Sequence, residues 1–181
     1  MTVRKTESKD LDQVMEIISL TRAYFKEEGI PQWQGPYPER ERIEDDMQRG
    51  ESYVCVRDEM VVGVSAIIPG IELDYLRIFD GEWRNDRAYV CMHRVAVHPD
   101  AKGTGVAAML VNKACEIAHE HGMLDLRCDT HEVNRPMRRM LEKNGFKHCG
   151  TIYLSADGEP RVAYQRCLDE FQDEIPTQKG V

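Results

Sequence analysis

The chain has 181 residues, 41% of them hydrophobic, which suits one compact domain with a sizeable core. Its 24 Lys and Arg against 32 Asp and Glu leave a net charge of −8, and this argues against a nucleic-acid partner, whose phosphates need clustered positive charge. No segment approaches the about 20 apolar residues of a membrane helix, and the amino-terminal segment lacks the apolar stretch of an export signal. The six cysteines form no C-x-x-C pair and are typical of reduced core thiols, so we expect a cytoplasmic protein without a membrane partner.

The first half of the chain predicts a strand, two helices and a hairpin. A short strand begins at Val3. The apolar residues between residues 11 and 25 then recur at i, i+3, i+4 and i+7, and they predict a helix that ends at Gly29. Glycines and prolines, which break helices and strands, alternate with aromatic residues in residues 29–38 and predict a loop. The charged stretch 39–50 predicts an exposed helix. Residues 53–56 and 61–68 predict a hairpin, whereas residues 69–86 favour no particular element.

The second half alternates strands and helices. We predict strands at residues 89–97, 124–128, 146–154 and 161–167, and helices at residues 106–118 and 134–144. A turn at residues 157–158 separates the last two strands, and the end of the chain is polar and expected to be loose. The predicted organisation is one domain over residues 1–168, followed by a tail at residues 169–181.

A glycine-containing turn joins the strand that ends at Val97 to the next helix. Gly103 and Gly105 lie in this turn, where a helix amino terminus would aim unpaired backbone N–H groups and the positive end of its dipole at one point. Such a junction can bind a phosphate group, although the glycines could equally serve only a tight turn. The turn has neither the G-x-x-x-x-G-K spacing of a nucleotide-triphosphate loop nor the G-x-G-x-x-G spacing of a dinucleotide site.

Two motifs in this half resemble those of one known family. After Val97-His98-Pro99, the spacing of Lys102, Gly105 and Ala107 is similar to an acetyl-CoA signature in which Gln or Arg precedes a Gly by three residues and a Gly or Ala by five. The stretch from Asn134 through Met137 and Met140 to Gly145-Phe146 resembles a later helix motif of the same family. On these residues the chain resembles the GNAT superfamily of N-acetyltransferases, over nearly its whole length up to Cys167.

This resemblance implies a fold and a cofactor. The expected fold class is α/β (α+β): a mixed, mostly antiparallel sheet of about seven strands, flanked by helices and splayed where the strand ending at Val97 parts from the strand at residues 124–128. Acetyl-CoA would be the co-substrate, without a metal. The residues expected to bind it are Val95, Ala96, Val97, Lys102, Gly103, Thr104, Gly105, Val106, Ala107, Asn134 and Lys143.

The resemblance also implies direct acetyl transfer to a primary amine of a small molecule, amino acid, polyamine or peptide. We expect His93 as the base, unless it is a structural strand residue, and the backbone N–H of Val95 as the oxyanion donor. The family's usual proton-donating Tyr is replaced by Leu141 here. Tyr153, our first candidate, Tyr164 or water would then protonate the thiolate, with packing as the alternative role for each tyrosine.

Four residues are candidates for binding the acceptor: Trp33, Tyr37, Arg94 and Asp129. The two aromatic residues could instead anchor the loop at residues 29–38, and Asp129 could instead cap the turn before the helix at residues 134–144. The loss of the family's Tyr also leaves open a non-catalytic acyl-CoA-binding module, or an interaction domain that reuses the fold. A homodimer is common among similar proteins, although the sequence does not decide the oligomeric state.

Overall fold

The computed structural model describes residues 1–156 and 158–170, which form a seven-stranded sheet flanked by four α-helices. The strands are β1 (Thr2–Lys5), β2 (Ser52–Arg57), β3 (Met60–Pro69), β4 (Val90–Val97), β5 (Asp125–Thr130), β6 (Lys147–Tyr153) and β7 (Pro160–Cys167). The helices are α1 (Leu11–Glu27), α2 (Arg40–Gln48), α3 (Val106–Glu120) and α4 (Arg135–Lys143). The strand order is β1-β2-β3-β4-β5-β7-β6.

The sheet is splayed between β4 and β5. This pair is parallel, whereas every other pair of neighbouring strands is antiparallel. Pairing between β4 and β5 covers only Val90 with Leu126 and Cys91 with Arg127, although both strands continue for several residues. The splayed, mostly antiparallel fold predicted from the resemblance is therefore confirmed.

Helices cover the two faces of the sheet because each has one apolar stripe. On α1 the buried side chains are Leu11, Val14, Ile17, Ile18 and Phe25, and the first four pack with residues of α2, β2, β3 and β4 on one face. On α3 the buried stripe from Val106 to Ala118 packs against the other face, together with residues of β5, α4 and β7. Both faces of β4 are thus covered beside the splay.

Beyond β3 lies the segment for which the sequence favoured no element. It contains a single 3-10 turn, Leu73–Leu76, and an isolated bridge between Phe79 and Thr151. Tyr75 anchors it, since this side chain is fully buried among Tyr89, Cys91 and Ile152 in a small third cluster.

All six cysteines carry free thiols, and five of them are buried. Of the predicted turn at residues 157–158 and the predicted tail, residue 157 and residues 171–181 lie outside the described part of the chain.

Candidate active site

Strand β4 contains a bulge beside the splay. Val64 pairs with Ala96 and Ala66 pairs with His93, so the single residue Ser65 faces two residues, Arg94 and Val95. Arg94 has a φ of 53°, in the left-handed region that non-glycine residues seldom adopt. A bulge of this kind takes backbone groups out of the regular ladder. Neither Arg94 nor Val95 has a Cα partner on β3, which agrees with an available N–H at Val95.

A cavity of about 500 Å³ lies on one side of this bulge, and we call it the turn cavity. Ten of the eleven predicted acetyl-CoA residues line it: Val95, Ala96, Val97, Lys102, Gly103, Gly105, Val106, Ala107, Asn134 and Lys143. Thr104 does not, because its hydroxyl and amide both donate to the carbonyl of Ala101, at 2.7 and 3.3 Å. The predicted set therefore converges on one cavity, with Thr104 shaping the turn from outside it.

The amino terminus of α3 faces the turn cavity without a side-chain cap. Its N-cap is Gly105, with a φ of 90°, so no side chain accepts the first-turn amides of Val106 to Ala108. Arg139 and Lys143, one turn apart on α4, line the same cavity, as does Lys102, whose Nζ lies 3.7 Å from the centre of the Tyr24 ring. Open amides and three cations together suit an anionic phosphate ligand.

A second cavity of about 570 Å³ lies on the other side of the bulge, and we call it the loop cavity. The loop at residues 31–37 forms one wall, and the predicted residues Trp33, Tyr37, His93, Arg94 and Asp129 all line it. Phe25, Val95, Asn134 and Met137 line both cavities. The two spaces therefore meet at Val95, where the bulge is.

His93 lies between two carboxylates in the loop cavity. Its Nε2 is 3.3 Å from Glu72 Oε2 and its Nδ1 is 4.0 Å from Asp129 Oδ1. The nearby His93 imidazole is the main cause of a lowered pKa at Glu72, which favours the ionised carboxylate. Asp129 Oδ1 accepts a 2.6 Å hydrogen bond from the Tyr75 hydroxyl, whose pKa burial raises well above its usual value. Tyr75 is thus a fixed donor that orients Asp129, while α4 is capped by Asn134 itself.

Arg94 holds the bulge against the rest of the cavity wall. Its Nη2 donates to Asp46 Oδ1 at 3.0 Å, its Nε lies 2.7 Å from Asp46 Oδ2, and its Nη1 donates to the Tyr37 hydroxyl at 2.7 Å. Burial by itself lowers the pKa of this guanidinium, and the effects of Tyr37 and Asp46 outweigh it, so the net pKa is raised. The cation therefore ties β4 to α2 and to the loop, and it is largely neutralised by Asp46.

Three residues that bear on the proton donor lie away from both cavities. Tyr153 is 48% exposed and packs edge-on against Phe79. Tyr164 is buried, and its hydroxyl contacts Arg138 and Glu142 at 3.0 and 3.2 Å. Leu141 is fully buried in the core beneath α4. The structure thus brings His93 and Val95 together but does not bring Tyr153 to them.

Sequence reasoning missed several residues of the two cavities. Glu72 and Tyr75 belong to the segment that favoured no element, and Arg139 lies one helical turn before the predicted Lys143, where the i, i+4 spacing could have identified it. Within residues 1–156 and 158–170, no group of three or more His, Cys, Asp or Glu could hold a metal ion. No helix in those same ranges is long and apolar enough to cross a bilayer.

Comparison with known proteins agrees with this architecture. Residues 15–146 match the model of the acetyltransferase (GNAT) family. A GNAT-family acetyltransferase structure from Streptococcus agalactiae 2603 is 35% identical, with 92% of this chain and 94% of that chain covered and a TM-score of 0.83. This chain therefore belongs to the GNAT acetyltransferase family.

More distant structures share the fold. A ribosomal-protein-alanine N-acetyltransferase from Brucella melitensis is 20% identical, with coverage of 93% and 100% and a TM-score of 0.64. An aminoglycoside 6'-acetyltransferase type Ii is 16% identical, with coverage of 97% and 99% and a TM-score of 0.63. No curated protein matches the chain significantly.

Proposed function

We propose that this protein is an acetyl-CoA-dependent N-acetyltransferase that transfers the acetyl group directly to a primary amine. The observation that carries the proposal is the meeting of two cavities at the β4 bulge: one has open helix amides and cations, the other a histidine between two carboxylates. Such an arrangement would allow a thioester donor and an amine acceptor to approach each other from opposite sides of Val95.

The donor would lie in the turn cavity. The amides of Val106 to Ala108, with Lys102, Arg139 and Lys143, would bind the phosphates, and β4 beside the splay would bind the pantetheine arm. Acetyl-CoA supplies the activated acetyl group as a thioester. The N–H of Val95 would donate to the oxygen that becomes negative during transfer, which stabilises the transition state more than the ground state.

The acceptor amine would lie in the loop cavity. His93 would remove its proton, directly or through water, and Glu72 and Asp129 would stabilise the imidazolium that results. Cys128 also lines this cavity, but its thiol donates to the carbonyl of Met92 at 3.1 Å and burial raises its pKa well above the usual value. An unreactive thiol here supports direct transfer without an acyl-enzyme.

We propose water as the acid that protonates the departing thiolate. Leu141 puts no hydroxyl at the position where the family has its Tyr, and Tyr153 and Tyr164 lie outside both cavities. The same substitution favours the alternative function, an acyl-CoA-binding module without catalysis.

Two measurements on the full chain test the proposal. Isothermal titration should show acetyl-CoA binding. In a panel of primary amines, at least one should cause the protein to release free CoA thiol from acetyl-CoA. Binding without thiol release for any amine would favour the non-catalytic module, and absence of binding would reject both functions.

A further inference from the structure

Gln32 connects the loop at residues 31–37 to the junction between β5 and α4. Its Oε1 accepts three hydrogen bonds: from Asn134 Nδ2 at 2.9 Å, from Thr130 Oγ1 at 3.1 Å and from the backbone N of His131 at 3.4 Å. Thr130 and Asn134 are buried, so these contacts hold the side chain in one place.

The hydrogen bonds also decide which way the Gln32 amide faces. The backbone N of Met137 can only donate, so Asn134 turns its Oδ1 toward it, at 3.2 Å, and is left with Nδ2 toward Gln32. The backbone N of His131 likewise can only donate. Rotating the Gln32 amide by half a turn would set its NH2 against two fixed donors, so its oxygen must face the junction.

The other end of this amide is consequently a fixed donor. Gln32 lines the loop cavity, and its Nε2 has no hydrogen-bond partner among residues 1–156 and 158–170. The two carboxylates beside His93 in that cavity, Glu72 and Asp129, can only accept hydrogen bonds. An oriented N–H donor therefore adds a kind of recognition that the carboxylates cannot provide.

We propose that Gln32 is a specificity-determining residue whose Nε2 donates a hydrogen bond to an oxygen of the acceptor. The acceptor class is then an amine that bears a carbonyl or hydroxyl oxygen close to the reactive nitrogen, rather than a plain alkylamine. This inference rests on the proposed N-acetyltransferase function and assigns the acceptor class for the same site.

The test uses Gln32→Glu, because a carboxylate can still accept all three anchoring hydrogen bonds but cannot donate. The acceptors are matched sets with the same side chain, such as leucinamide, leucinol and 4-methylpentan-2-amine, which carry a carboxamide, a hydroxymethyl and a methyl group beside the amine. For each amine the ratio of kcat/KM between wild type and variant is taken separately, so that differences in amine basicity cancel. Leucinamide and leucinol distinguish a carbonyl from a hydroxyl as the recognised oxygen.

We expect Gln32→Glu to lower kcat/KM by about tenfold or more, mainly through KM, for the carboxamide or the amino alcohol, with little loss for the plain amine. Gln32→Met removes both the anchor and the donor and should impair every amine. Gln48→Glu makes the same charge change at an exposed site outside both cavities and should behave as wild type.

Acetyl-CoA binding by the Gln32→Glu protein, measured by titration, establishes that the variant is folded. If Gln32→Glu lowers kcat/KM equally for all three amines, or for none of them, the inference about Gln32 is wrong while the proposed N-acetyltransferase function is unaffected. Absence of thiol release across all sets by a wild-type protein that binds acetyl-CoA overturns the proposed function and this inference with it.

Discussion

His93 has two carboxylate neighbours, and they give the proposed base a defined role. Glu72 at 3.3 Å would stabilise the protonated imidazole after it has taken a proton, and Asp129 at 4.0 Å is held by Tyr75 on the other side. A base in this setting would accept the amine proton without leaving an unpaired charge in the cavity.

Replacing His93 with Gln should lower kcat by about 10² to 10⁴, the usual contribution of general acid–base catalysis. The deficit should shrink as the pH rises toward the pKa of the amine, because a larger share of the amine is then already neutral. The measurement is a pH profile of thiol release for both proteins. Acetyl-CoA affinity should be unchanged, and a variant with wild-type turnover at every pH would remove His93 from the mechanism.

The residues around the base could be predicted only in part from the sequence. Trp33 and Tyr37 were identified because the loop between the first two helices forms the acceptor pocket in the family that the chain resembles. Arg94 and Asp129 were identified from strand ends, and His93 from its spacing to Val95. All five line the loop cavity. The bulge in β4 could not be predicted. A left-handed φ is usually indicated in a sequence by glycine, and here the residue with that φ is Arg94.

At the scale of elements, the turn before α3 depends on backbone conformation at two glycines. Gly103 and Gly105 have φ values of 78° and 90°, and a Cβ at either position would meet no atom within 4 Å. A substitution there is therefore strained by conformation rather than by a clash inside the protein. Whatever lies against the turn from outside would meet the new Cβ.

Gly105→Ala should destabilise the fold by about 1 kcal/mol and weaken acetyl-CoA binding by more than about tenfold. Gly122→Ala is the matched control, because Gly122 also has a positive φ, of 66°, and open space around it, but it follows α3 at the far end and lines neither cavity. Chemical unfolding should show similar losses for both variants, whereas titration should show weaker binding only for Gly105→Ala. Equal acetyl-CoA affinities for the two variants would contradict phosphate binding at this turn.

The elements themselves were largely predictable, and the exception has a physical cause. The helices and strands carry clear 3.6- and 2-residue apolar periodicities, as in the stripe of α1 from Leu11 to Phe25. The segment after β3 has no such period, because Tyr75 is held by ring contacts with Trp83 inside the segment and with Tyr89 and His93 beyond it, and not by a regular apolar face. Glu72 was missed for the same reason, because its position beside His93 depends on how Tyr75 anchors this segment.

For the whole molecule, the splay divides the sheet into two parts that share one short pairing. The halves are joined across β4 and β5 by two residue pairs, by the packing of α3 against the sheet, and by side chains near the closed end of the splay. There Asp125 is fully buried and accepts from Arg87 Nε at 2.7 Å and from Asn85 and Gln165 at 3.0 and 2.9 Å. The two halves of the sheet are thus held together by strand pairing and buried hydrogen bonds at the closed end of the splay. At the open end, β4 and β5 are not paired, and the two cavities lie there.

A ligand that fills the splay should accordingly stabilise the whole chain, because it contacts β4, α3 and α4 together and no unfolded chain offers that surface. At a concentration of about 100 times its Kd, acetyl-CoA should add about 2.7 kcal/mol and raise the Tm by about 5–10 °C. His93→Gln should retain the full rise, since His93 lies in the loop cavity, and Gly105→Ala, with binding weakened by about tenfold or more, should lose about half of it or more. A thermal-shift titration of the three proteins measures this, and an unchanged wild-type Tm would show that acetyl-CoA does not bind the splay.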